Sequence, residues 1–187
     1  MKIYTGTGDG GKTSLFSGER LKKNSPRVET YGEVDELCSA IGIVAAVLPG
    51  CDKQEKLTDT LRRIQADLFD IGAILATSPG SPEADLLRPI SEEKIKWLEE
   101  NIDKIQAELE ELHSFILPGG HVSAAWAQLV RAICRRVERG IITLEESEGC
   151  LHSALTITYM NRLSDYFFVL ARYLNHLSGT AEITWHG

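Results

Sequence analysis

The stretch NRLSDYFFVLARYLN, residues 161–175, shows most clearly which kind of fold this chain adopts. Its apolar residues recur at three- and four-residue steps, which is the period of an α-helix with one buried face. The residues expected in the core are Leu163, Phe167, Leu170 and Leu174. The opposite stripe contains Asn161, Asp165, Phe168 and Arg172. The stretch therefore predicts a long amphipathic helix.

The preceding chain repeats this helical period between breaks that contain proline or glycine. Ser25 followed by Pro26 is a typical helix start, and Ser91 is a second expected cap. The predicted helices span residues 25–48, 52–77, 91–112, 123–144 and 149–177. Because long helices are joined by short loops with almost no strand signal, we expect an all-α fold. It is a single domain over 1–187, with a glycine-rich loop over 1–25 and a five-helix bundle over 26–178.

The composition is that of an acidic globular protein with a net charge of -7. This charge argues against a protein devoted to nucleic acid or to an acidic membrane surface. No apolar run reaches the roughly 18 residues of a transmembrane helix, and the N-terminus lacks the apolar core of a signal peptide. The four scattered cysteines favour reduced thiols. A cytoplasmic protein that binds neither nucleic acid nor membrane is therefore expected.

The segment GTGDGGKT, residues 6–13, matches the P-loop pattern of nucleotide hydrolases. A P-loop needs a helix directly after the motif, yet the residues that follow Thr13 have no helical period, and no βαβ units follow. The glycines still allow backbone amides to approach an anion, and Lys12 and Lys23 supply positive charge. A phosphate-binding loop of another kind and a flexible N-terminal tail are both compatible with this composition.

The segment RAICRRVERG, residues 131–140, concentrates arginine on one helix. Arg131, Arg135 and Glu138 fall within an arc of about 80°, with Arg139 beside them, whereas Arg136 points away. Arginine without lysine suits bidentate binding of phosphate or carboxylate. An ion-pair seam between helices or subunits is the alternative.

Three acidic or amide side chains on other helices are further candidates. Asn161 and Asp165, one turn apart, could bind an arginine of the fourth helix or a ligand. Asp35 shares a helix face with Tyr31 and Cys38, and surface solvation is its simplest explanation from the residues alone.

Six segments together resemble one family, the PduO-type ATP:cob(I)alamin adenosyltransferases, along nearly the whole chain. They are YTGTGDGGKTSL, RVETYGEVDELCSAIG, IQADLFDIGAILA, FILPGG, RAICRRVER and NRLSDYFFVLARYLN. The resemblance implies a five-helix bundle that forms a homotrimer with active sites between neighbouring subunits. Such enzymes transfer the 5′-deoxyadenosyl group of ATP to the cobalt of a reduced corrinoid, cob(I)alamin, and release triphosphate. Mg²⁺ is expected mainly on the ATP phosphates, without protein ligands of its own.

The resemblance also implies roles for individual residues. The residues implied to hold the phosphates are Thr5, Gly6, Thr7, Gly8, Thr13, Ser14 and Lys23. Those implied to complete the nucleotide site are Arg135, Glu138, Arg139 and Asn161, with Asp165 at the matching position of the last helix. Phe115 is implied to be a wedge against the lower face of the corrin, which leaves cobalt four-coordinate. Asp35 and Arg131 match a pair that bridges subunits near the corrinoid. Arg135, Phe115, Asp35 and Arg131 are thus the implied catalytic residues.

The chain departs from the family pattern at two of these positions. Gln128 stands where the family often has histidine, and Gly6 where it often has lysine or arginine. An electron-donor reductase and an adenosylcobalamin-dependent enzyme are possible partners. A non-catalytic helical carrier of ATP or corrinoid is the alternative function, and a P-loop hydrolase that releases ADP is a further one.

Overall fold

The computed structural model describes residue 4 and residues 6–148 and 154–185. In this part of the chain a small antiparallel sheet precedes five α-helices, so the prediction of five helices is confirmed. The strands are β1 (Lys12–Ser14) and β2 (Arg20–Lys22). The helices are α1 (Pro26–Ala46), α2 (Gln54–Leu75), α3 (Glu92–Gln106), α4 (Val122–Glu148) and α5 (Ala154–Leu177), with a 3-10 helix at Pro82–Leu86.

The helix boundaries follow the expected signals at some ends and not at others. The Ser25 side chain accepts a hydrogen bond from the amide of Val28, and Pro26 opens α1 as predicted. The prediction that the third helix reaches about Leu112 is wrong, because α3 ends at Gln106 and the amides of Glu108 and Leu109 bond three residues back, as in turns. α4 extends past the predicted end to Glu148. The predicted fifth-helix start, at 149, lies outside the described residues.

α4 packs against both α1 and α5, with α2 packed on α1 and α3 packed on α5, and the apolar core lies between these helices. Its predicted α5 members are confirmed, since Leu163, Phe167, Leu170 and Leu174 are fully buried. Arg172 of the opposite stripe is also buried, and its Nε donates to Glu182 at 3.2 Å. Because the buried surface of α5 reaches almost all round the helix, this element is fixed firmly between its neighbours.

A partly buried charged network joins α2, α3 and α5. The Tyr159 hydroxyl of α5 donates to Asp67 of α2 at 2.9 Å, and Lys94 of α3 lies 2.7 Å from the same carboxylate. Lys94 also bonds Asp70 at 2.9 Å. Burial alone would lower the pKa of Lys94, but its hydrogen bonds with the two carboxylates raise it overall. The network therefore holds α3 in register against α2 and α5.

None of the helices formed by the described residues is both long and apolar enough to cross a lipid bilayer.

Candidate functional site

The glycine-rich segment forms turns that lead into a hairpin. The amide of Asp9 donates to the Gly6 carbonyl, and that of Gly11 donates to Gly8. β1 then pairs with β2, with Thr13 opposite Leu21. Because Lys12 and Thr13 of the motif lie in β1 and no helix begins in the described stretch between residue 6 and Pro26, the P-loop interpretation is wrong.

Cationic side chains gather around the loop backbone. The Lys23 ammonium lies so near Gly8 that an added Cβ would be 3.3 Å from its Nζ. The Lys23 amide donates to Gly11 at 2.9 Å, and Arg20 donates to the carbonyl of Thr7 at 2.5 Å. Thr7, Gly8 and Lys23 thus lie close together in this loop. Gly6, Thr13 and Ser14 lie in the adjoining turn and strand, whereas Thr5 lies outside the described residues.

The hairpin is attached to the C-terminal end of α2. The amide of Phe16 donates to the Ala76 carbonyl at 2.7 Å, and the amide of Ser78 donates to the Ser17 hydroxyl at 3.0 Å. Leu15 is buried beneath it. These contacts place the hairpin beside the C-terminal end of α2.

The arginine-rich part of α4 opens onto a cavity of about 490 Å³ between α3, α4 and α5. Arg131 and Arg135 line this cavity together. The α5 residues that line it are Arg162, Ser164, Asp165, Phe168 and Val169. Glu99, Ile102, Asp103 and Gln106 of α3 complete the wall. The cavity thus combines three arginines with three carboxylates and one phenylalanine ring, and its arginines can bind the phosphate or carboxylate groups of a ligand.

Arg131 and Arg139 donate to an amide oxygen and a backbone carbonyl, not to the carboxylates that an ion-pair seam between helices would supply. Arg131 Nε donates to the buried Gln128 amide oxygen at 2.8 Å, so this departure from the family pattern still supplies an acceptor that orients the arginine. Arg139 donates to the carbonyl of Arg135 at 2.9 Å. Their guanidinium groups consequently retain donors for a ligand.

Within the described residues, Asn161 and Asp165 bond no arginine of α4, although such a bond was one of the two possibilities that the sequence left open. Asn161 donates to Glu138 at 3.2 Å, which joins α5 to α4 through the expected nucleotide-site residues. Arg162 of the same helix is the nearer cation: it donates to the Asn161 oxygen at 3.0 Å and lies 3.8 Å from Asp165. Arg162 was missed from the sequence, although it stands inside the NRLSD motif.

Arg136 faces another helix, as its position on the helical wheel predicts. Its Nε lies 3.1 Å from Glu33 of α1, and a second ion pair joins it to Glu36. Burial raises the pKa of Glu33 even though Arg136 opposes the shift. Arg136 therefore forms ion pairs with α1, whereas the adjacent Arg135 lines the cavity between α3, α4 and α5.

Asp35 lines a second, apolar cavity of about 320 Å³ between α1 and α2. Tyr31 and Cys38 line it too, which confirms their shared face, and burial raises the pKa of the Cys38 thiol. Phe16 and Phe69, both mostly exposed, form part of its wall. Within one chain Asp35 and Arg131 line different cavities.

Phe115 projects from an extended segment before α4, with 78% of its surface exposed. Its carbonyl accepts from the amide of Trp185 at 2.7 Å, and Leu117 donates to Ile183 at 2.8 Å. The Trp185 ring packs edge-on against Phe115 with centroids 6.5 Å apart. Trp185 lies after the last helix, where no periodic pattern indicated a role.

Across the described ranges, no group of three or more His, Cys, Asp or Glu side chains is arranged to hold a metal ion.

The chain is similar over nearly its full length to proteins of one family. The cobalamin adenosyltransferase family profile matches residues 3–174. The corrinoid adenosyltransferase of Bacillus subtilis is 44% identical over 99% of this chain and 92% of its own. The cobalamin adenosyltransferase of Cupriavidus metallidurans is 40% identical over 98% of this chain and 94% of its own.

Solved structures extend this similarity to the fold. A phenylalanine-to-alanine variant of the PduO-type ATP:corrinoid adenosyltransferase from Lactobacillus reuteri, complexed with cobalamin and ATP, superposes with a TM-score of 0.90 at 36% identity, covering all of both chains. An arginine-to-lysine variant of a PduO-type enzyme from that organism, complexed with ATP, gives a TM-score of 0.87 at 38% identity, over 98% of this chain and 100% of that one. The family profile, the sequence identities and the superposed structures together show that the chain belongs to the cobalamin adenosyltransferase family.

Proposed function

We propose that this protein transfers the 5′-deoxyadenosyl group of ATP to the cobalt of cob(I)alamin, giving adenosylcobalamin and triphosphate. The observation that carries the proposal is the cavity lined by Arg131 and Arg135 in a chain that matches corrinoid adenosyltransferases from end to end. The protein acts in the cytoplasm, with an electron-donor reductase and an adenosylcobalamin-dependent enzyme as possible partners.

The reaction needs no nucleophilic side chain. A bond forms between cobalt and C5′ of the ribose with the electron pair of Co(I), and the C5′–O bond breaks with its pair leaving on triphosphate. The protein must bind both substrates and align them, and such alignment can lower a barrier by about 7–11 kcal/mol at best. Arg135, Arg139 and Lys23 stabilise the leaving group, with Glu138 and Asn161 holding the nucleotide side of α4 and α5. Mg²⁺ arrives on the ATP phosphates.

The complete site is shared between two subunits of a homotrimer. The positions of the loop and of the arginines within one chain support this proposal. The loop is attached to α2, whereas the arginines line a cavity between α3, α4 and α5. A neighbouring subunit can bring the loop of one chain to the arginines of the next, and Asp35 to Arg131. The exposed rings of Phe16 and Phe69 beside Asp35 fit a face that a second subunit covers.

Phe115 acts as the wedge below the corrin ring. An exposed phenylalanine whose own chain leaves most of the ring uncovered can pack against an apolar face of a ligand. By occupying the lower face it excludes the axial ligand, which makes Co(II) easier to reduce.

The test combines the purified protein, ATP, Mg²⁺ and chemically reduced cobalamin under anaerobic conditions. The expected result is the absorption spectrum of a Co–C corrinoid with one triphosphate per adenosyl group transferred. A carrier module would bind both substrates without this change, and a P-loop hydrolase would release ADP and phosphate. Either outcome would reject the proposal.

A further inference from the structure

The turn between Phe115 and α4 is attached to α5 through one buried side chain, Asn175. Asn175 is 5% exposed. Its Oδ1 accepts a hydrogen bond from the amide of His121 at 2.9 Å, and its Nδ2 donates to the carbonyl of Gly119 at 3.2 Å. The amide therefore makes two backbone contacts with the same turn, one as acceptor and one as donor.

The turn closes tightly around this side chain. Gly120 has a φ of +97°, a conformation that favours glycine. A Cβ added at Gly120 would lie 2.2 Å from Asn175 Oδ1, closer than any allowed contact. The glycine is thus required both by its backbone angle and by the approach of the asparagine.

The anchored turn joins the two parts of the proposed site. On one side it leads into α4, where the His121 ring accepts from the amide of Ser123 at 3.3 Å. On the other side it follows the extended segment that carries Phe115, which is bridged to Thr184 through Ile116. Asn175 consequently attaches to α5 the turn that lies between Phe115 and α4, the helix that carries the arginines.

We propose that Asn175 is a positioning residue for Phe115. The inference rests on the proposed wedge function. Because Phe115 has little packing of its own, its position against a ligand depends on its backbone. Loss of the Asn175 contacts frees the turn on its α4 side and lets the wedge withdraw from the corrin.

Two variants break the same contact from opposite sides. Asn175→Ala removes both hydrogen bonds, and Gly120→Ala forces a methyl group against the unchanged asparagine. Ser178→Ala is the matched control. The Ser178 hydroxyl donates to the Asn175 carbonyl at 3.0 Å and also bonds the Thr180 hydroxyl, and neither of these described bonds involves the turn at 119–121. Each is compared with Phe115→Ala and the wild type.

The readout is the four-coordinate fraction of cob(II)alamin bound with ATP, measured by magnetic circular dichroism. We expect Asn175→Ala and Gly120→Ala to lower the ratio of four- to five-coordinate cobalt about tenfold, as for the loss of one or two buried hydrogen bonds. ATP affinity and turnover from pre-reduced cob(I)alamin should stay within about twofold, because four-coordinate Co(I) needs no wedge. Ser178→Ala should match the wild type.

Three results would overturn the inference. A ratio that is unchanged in both variants removes the positioning role, provided that Phe115→Ala lowers it. A parallel loss of ATP affinity and of Co(I) turnover would show a general structural role instead. If Phe115→Ala itself leaves the ratio unchanged, the wedge proposal fails first and the role of Asn175 falls with it.

Discussion

The substitution Phe115→Ala distinguishes a catalytic role of this side chain from a structural one, because the two roles predict different losses of stability and of turnover. With only about a fifth of its surface covered, the side chain contributes roughly 0.5 kcal/mol through burial, because complete burial is worth about 1.5–3 kcal/mol. The edge-on contact with Trp185 adds about 0.5 kcal/mol or slightly more. The free energy of unfolding should therefore fall by only about 1 kcal/mol.

The catalytic loss should be much larger than this. In the proposed complex the ring is buried against the corrin, so its removal is expected to forfeit about 1.5–3 kcal/mol of the energy that displaces the lower ligand. That corresponds to a fall of about 10- to 150-fold in turnover from cob(II)alamin with a reductant. ATP binding and turnover from pre-reduced cob(I)alamin should be nearly unchanged.

The assay follows Co–C formation by absorbance from both oxidation states, alongside urea unfolding of each variant. Leu112→Ala is the control, since Leu112 is also a partly exposed apolar residue of the segment before α4. Turnover from cob(II)alamin within about twofold of the wild type would refute the wedge. So would an equal loss from both oxidation states.

Two further substitutions test the arginines. Arg135→Ala should raise the Kd for ATP about 10- to 150-fold, because a charged hydrogen bond contributes about 1.5–3 kcal/mol. Arg136→Ala loses its ion pairs with α1 and should leave this Kd, measured by calorimetry, unchanged. Equal effects of the two changes would contradict the assignment. Arg27→Ala should lower the free energy of unfolding by about 2–4 kcal/mol, since the buried guanidinium bonds Glu148 and two carbonyls at the end of α2. A urea midpoint like that of the wild type would show that these contacts are dispensable.

The fold could be predicted from helical periodicity, because each long amphipathic segment repeats the three- and four-residue spacing of apolar residues many times. It failed at the end of α3, where the apolar steps continue to Leu109 while the backbone has already turned. It also missed the hairpin, because strands of three residues are too short to show an alternating pattern. Local sequence could not reveal these ends, which depend on contacts with other elements.

The site was predictable where one helix alone sets the geometry. Arg131 and Arg135 share a cavity, and Arg136 points away, as their angular positions require. The partners of Asn161 and Asp165 were not predictable in this way, because Arg162 competes for both from the same helix. Trp185 reaches Phe115 only through the return of the chain after α5, which no spacing rule indicates.

The central claim is that the loop of one subunit and the arginines of the next bind one triphosphate. It is tested most directly by mixing two inactive variants, Lys23→Glu and Arg135→Glu, in equal amounts through unfolding and reassembly. In a ring of shared sites about one quarter combine an intact loop with intact arginines, so the mixture should recover about a quarter of wild-type turnover. Each variant alone should stay inactive. A mixture that remains as inactive as its components, although mass spectrometry shows mixed trimers, would contradict the shared site.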